Sequence, residues 1–93
     1  MWVRIREVSF PSPRADEVIK HVRNTAVSRN DGEGFRGFRL LIDRPNGRAL
    51  EVSYWDTEAN ATVGRVTSGI ESTDVPDGIV ERCNFYELAI DGG

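Results

Sequence analysis

Apolar and polar residues alternate along residues 2–10, WVRIREVSF. Trp2, Arg4, Arg6, Val8 and Phe10 fall on one side and Val3, Ile5 and Glu7 on the other, which predicts a strand with polar positions on both faces. Pro11-Ser12-Pro13 stops it. Ser12 before Pro13 marks a helix start, because a serine oxygen caps free N–H groups and proline has no N–H to leave unpaired. Ala15, Val18, Ile19, Val22 and Ala26 then recur at helical spacing, so the first helix is expected from Pro13 to about Arg29. Asn30-Asp31-Gly32-Glu33-Gly34 ends it, with two glycines able to take positive φ.

The central stretch, Gly34 to Asp56, predicts an antiparallel hairpin. In its first strand Phe38, Leu40 and Ile42 share one face and Arg39, Leu41 and Asp43 the other. In its second, Leu50, Val52 and Tyr54 oppose Glu51, Ser53 and Trp55. The turn is Arg44-Pro45-Asn46-Gly47-Arg48, where Asn-Gly is expected to supply the left-handed positions of a tight connection. Asp56 or Thr57 caps a second helix whose apolar positions are Ala59, Val63, Val66 and Ile70, weakened by Gly64 and Gly69. Ser72–Gly78 reads as a polar loop, Ile79–Ile90 as the last strand, and Asp91–Gly93 as a frayed tail.

The order βαββαβ, with each helix amphipathic on one side, fits an α+β, ferredoxin-like fold: a four-stranded antiparallel sheet with two helices on one face, in a single domain over residues 1–93. Two helices leave the second sheet face bare. That face is expected to carry Trp2, Arg4, Arg6, Arg39, Leu41, Glu51, Ser53 and Trp55. In the last strand either Cys83 and Phe85 face the helices with Arg82, Asn84 and Tyr86 opposite, or the reverse; the first is preferred because it buries the thiol and the phenyl ring. A bare face with aromatic and guanidinium groups can be covered by the same face of a second chain, so a homodimer enclosing a cavity is expected.

Composition narrows the partners. At 39% hydrophobic and 29% charged, the chain is an ordinary globular protein, and its formal net charge of -3 argues against a phosphate-binding surface and so against nucleic acid. The single cysteine, Cys83, has no partner for an internal disulfide, and no leader-like or long apolar run is present, which points to a cytoplasmic protein without a membrane segment. Arg36-Gly37-Phe38-Arg39 is a faint match to an aromatic RNA-binding motif, but it falls on the second strand of an acidic chain. Gly32-Glu33-Gly34 is too short, and wrongly placed between helix and strand, for a phosphate loop.

Gly34-Phe35, the hairpin and the run Ser53-Tyr54-Trp55-Asp56-Thr57 into the second helix resemble the antibiotic-biosynthesis monooxygenase group of dimeric α/β barrels. The resemblance implies the fold, the homodimer and a sheet-lined cavity. It also implies that Trp55 holds a flat phenolic or quinol-type substrate, oxidised with O2 and without a cofactor. The group's asparagine, four residues before that tryptophan, is replaced by Glu51, and its tyrosine early in the next helix by Ala61. A carboxylate in place of an amide removes an oxyanion donor.

The replacement constellation read from the sequence has Asn84 and Tyr86 as amide and phenol groups, Glu51 as a base, and Arg4, Arg6, Arg39 or Arg82 to stabilise a phenolate. Against it stands a plainer reading, in which Glu51 forms an ion pair with one of these arginines and the chain is a non-catalytic ligand-binding or interaction domain. Trp55 is open between cavity and dimer core. His21 is the only histidine and lies in the first helix, whereas the resemblance places the iron ligand of haem-degrading members in the second. Cys83 reads as a small buried hydrophobe. No cluster has metal-ligand spacing.

Overall fold

The computed structural model describes residues 1–29, 32–62 and 77–93. Its strands are β1 (Trp2–Ser9), β2 (Phe35–Asp43), β3 (Arg48–Trp55) and β4 (Ile79–Glu87), and its first helix is α1 (Ala15–Arg29). They form one antiparallel sheet in the order β2-β3-β1-β4. The β1–α1–β2 crossover therefore passes over β3, as the ferredoxin-like βαββαβ plan requires. The expected second helix is described only at its start, residues 58–62. Val63, Val66, Ile70, Gly64 and Gly69 lie outside the described residues, as do Asn30, Asp31 and residues 72–76 of the polar loop; so does the side chain of Ala26.

The core explains which face α1 takes. Ala15, Val18 and Val22 of α1 gather with Val8, Phe10 and Ala49, and Phe38, Leu40, Ile42 and Val80 pack around them. Val8 and Val18 are fully shielded from solvent, each worth about 1.5–3 kcal/mol of burial. Val8 stands opposite Ala49, and Ala49 opposite Ile42, so one row across three strands faces the helix.

Local chemistry adjusts the expected boundaries. Ser12 does not cap the helix: Ser12–Arg14 forms a 3-10 turn closed by Arg14 N–H donating to the Pro11 carbonyl at 2.9 Å, and α1 starts only at Ala15. Thr57, not Asp56, caps the second helix, its Oγ1 accepting from the Asn60 N–H at 3.0 Å. In the hairpin turn only Gly47 takes positive φ, at 62°; Asn46 instead donates its amide to Asp43 at 2.9 Å. A Cβ at Gly47 would collide with the Phe10 carbonyl, and the Phe10 N–H donates to Gly47 O at 2.8 Å, so this turn needs glycine for space as well as for φ.

Two irregularities set the phases of the strands. Between Phe35 and Gly37 the β2–β3 register shifts by one residue at Arg36, and between β1 and β4 it shifts at Glu7/Val8, where Val8 pairs with Val80 and Glu81 is surplus.

Candidate functional site

Cross-strand partners share a face, so the registers assign every candidate side chain. On β1 and β3, Arg6 pairs with Glu51, Arg4 with Ser53 and Trp2 with Trp55. Leu40 and Phe38 of β2 stand opposite Glu51 and Ser53. Since Phe38, Leu40 and Ile42 pack towards α1, the row Arg4, Arg6, Glu51, Ser53, Trp55 lies on the helix side of the sheet. This overturns the expectation that it lines the bare face. On β4, Cys83 and Phe85 pair with Arg6 and Arg4, and so share that side as expected for the thiol and the phenyl ring.

The remaining candidates fall opposite. Arg82, Asn84 and Tyr86 pair with Glu7, Ile5 and Val3, and Arg39 with Val52, all on the face that α1 does not cover. The constellation of Glu51 with Asn84 and Tyr86 is therefore not assembled within one chain, because the thickness of the sheet separates its members. Arg39 stacks instead on Tyr54, 5.9 Å from its ring centre.

What the helix side does bring together is a polar row ending in a fixed indole. Arg6 Nε stands 3.5 Å from Glu51 Oε2, with side chains only 12% and 9% exposed. Charges so far from water persist only when paired, which the plainer reading of Glu51 anticipated. Next along the row Ser53 is 3% exposed, and its Oγ accepts from Trp55 Nε1 at 2.8 Å. The Arg4 guanidinium lies over the Trp55 ring, 5.3 Å from its centre, and Phe35 meets the indole edge-on at 5.4 Å and 70°. Ser53 and Phe35 are the members that sequence reasoning did not single out as site residues. The signal for Ser53 was its i, i+2 relation to Trp55 on one strand face.

The frame around this corner is built from glycines and a capped turn. A Cβ at Gly32 would touch Trp55 Cζ3 at 3.4 Å, so the loop before β2 lies directly on the ring. Asp56 N–H donates to Gly34 O at 2.8 Å, and the Arg36 guanidinium holds the Asp56 carboxylate at 2.5 and 2.9 Å. That hydrogen bond, with the accompanying charge attraction, holds the Asp56 carboxyl below the usual carboxylate range and raises Arg36. Both groups are on the surface.

On the bare face, a shallow groove of about 400 Å3 runs along Glu7, Leu41, Asp43, Arg48 and Leu50, away from Trp55. Arg48 Nη1 reaches Glu7 there at 3.4 Å.

The fold also occurs in solved structures. The haem-degrader MhuD from Mycobacterium tuberculosis, seen with two haems bound in its active site, matches with a TM-score of 0.80 at 20% identity over 100% of both chains. A Deinococcus radiodurans protein assigned as an antibiotic biosynthesis monooxygenase matches with a TM-score of 0.68 at 15% identity, over 100% of this chain and 97% of that one. The fold is that of these two proteins. The likeness to the antibiotic-biosynthesis monooxygenase group read from the sequence is thus found in the fold. No protein-family model matches the chain, and no curated protein matches it significantly. Among the described residues, no helix is long and apolar enough to cross a membrane.

Proposed function

We propose that the chain binds a flat, conjugated, phenolic or quinol-type molecule at the Trp55 corner and oxidises it with O2. The observation that carries this is the indole of Trp55, held at the end of β3 beside Arg4 and Phe35 and two rows from the Arg6–Glu51 pair. A guanidinium beside an aromatic wall suits the anion of a phenol, and Glu51, once its pair with Arg6 is exchanged for the ligand, is the one described carboxylate of the row able to take the phenol proton. The reaction turns a CH2 of an anthrone-like ring into C=O, and the second oxygen atom leaves as water. The fold shared with the haem-degrader extends the screen to haem as a flat substrate, although the only histidine of this chain, His21, is in α1.

The face opposite α1 carries Val3, Ile5, Leu41, Leu50, Val52, Tyr54 and Tyr86, with Leu41 52% and Tyr86 50% exposed. We propose that it closes on a second copy of the chain, as a homodimer in the cytoplasm. Trp55 then lies outside the interface and not in a cavity between the two sheets.

One observation favours a second reading, a non-catalytic ligand-binding or interaction domain: Arg6 and Glu51 already satisfy each other. A thermal-shift screen against hydroquinones, anthrone-like polycyclics, flavin and haem, repeated with Trp55→Ala, separates the two. A ligand at about a hundred times its dissociation constant stabilises by roughly 2.7 kcal/mol. A shift with one phenolic class, lost in the variant and accompanied by oxygen uptake in the wild type, supports the oxidase. Binding without oxygen uptake supports the second reading.

A further inference from the structure

The indole of Trp55 owes its orientation to one hydroxyl. Trp55 is 6% exposed, and a buried indole N–H needs an acceptor. Ser53, two residues back on the same strand face and 3% exposed, supplies it at 2.8 Å. With the N–H turned back along β3, the six-membered ring is directed to the loop before β2, where Cζ3 and Cη2 lie 3.4 and 3.6 Å from the place a Gly32 Cβ would occupy. Phe35 meets the same ring edge-on, and Arg4, the β1 partner of Ser53, lies over it. Turning the ring over about its Cβ–Cγ bond would remove the N–H from Ser53 and carry the wider ring back towards the Ser53–Glu51 row. The next residue on the same face of β3, Glu51, is turned to Arg6.

We infer that Ser53 is a positioning residue that selects the Trp55 orientation and thereby the shape of the surface offered to a flat ligand. The inference rests on Trp55 being the ligand-binding aromatic, as proposed above. Ser53 need not touch the ligand.

The test compares wild type, Ser53→Ala and Ser53→Thr in a Trp2→Phe background, so that Trp55 gives the only indole N–H resonance in 15N-labelled protein. In the wild type and Ser53→Thr, which keeps the hydroxyl, that proton is expected to exchange slowly with solvent at an unchanged shift. In Ser53→Ala it is expected to exchange at least about tenfold faster, and the affinity for whichever compound stabilises the wild type to fall by about tenfold, with the backbone spectrum otherwise retained. An unmoved indole resonance in Ser53→Ala, or a moved one with unchanged affinity, overturns the inference. If the wild type binds none of the compounds, the proposed function fails on its own; the indole exchange still decides whether Ser53 orients Trp55.

Discussion

Gly34 and Asn60 are packed backbone against side chain: with φ at +78°, a Cβ on Gly34 would sit 2.6 Å from Asn60 Cγ. The Asn60 carboxamide cannot retreat freely, because its Oδ1 accepts from the Thr57 hydroxyl at 2.8 Å while Thr57 caps the backbone of the same turn. Gly34→Ala is therefore expected to incur both the left-handed strain, about 1–2 kcal/mol, and overpacking of about 1–3 kcal/mol. Urea unfolding should show a loss of roughly 2–5 kcal/mol; a loss below about 0.5 kcal/mol would mean that the turn after β3 yields easily.

The buried pair of Arg6 and Glu51 should show the asymmetry of such pairs. Glu51→Leu alone leaves a guanidinium shielded from water and should cost about 3 kcal/mol. Arg6→Met with Glu51→Leu should recover most of it, because two apolar side chains of similar volume suit the same space. A double-mutant cycle by urea unfolding measures the coupling, and purely additive losses would contradict it.

The same pair explains how far the sequence could be read. Alternation within each strand was legible: Phe38, Leu40 and Ile42 do share a face, and so do Glu51, Ser53 and Trp55. Which of these sets share a side of the sheet was not legible. Polar residues suggested solvent, so Arg4, Arg6 and Glu51 were expected opposite the helices, yet pairing between Arg6 and Glu51 and stacking of Arg4 on Trp55 let the helix side accommodate them. The side is set by pairing between strands, Arg6 with Glu51 and Glu51 with Leu40, which leaves no mark in the hydrophobicity pattern of any one strand.

Acid should weaken the fastening of β2 to the segment after β3. The Asp56 carboxyl, held low by the Arg36 hydrogen bond, contributes stability that is fully present above its unfolded value of about 3.9 and is lost as the pH falls through its lower folded value. The wild type should thus lose its advantage over Asp56→Asn between about pH 5 and pH 2, and added salt should reduce that advantage at pH 7 because both groups are exposed. Urea midpoints at pH 6 and pH 3 check this; a difference that does not change with pH would show the pair unformed in solution.

The open sheet face should reveal its partner by concentration. Sedimentation at low micromolar protein is expected to give a dimer, and Leu41→Glu, at a half-exposed position in the middle of β2, a folded monomer. A wild-type monomer would remove the homodimer from the proposal and leave the Trp55 site, on the other side of the sheet, untouched.

Val80 faces the core with Val8, and Arg82 the opposite side with Glu7, and this is the alternation that β4 would show without the residue between them. Apart from its contact with the Ser9 hydroxyl, Glu81 is spare length. In a scan of single deletions through β4, removal of Glu81 should be tolerated, whereas removal of Asn84 should invert every side chain on one flank and abolish folding. Insertions and deletions during divergence of such chains would then gather at this point of the strand.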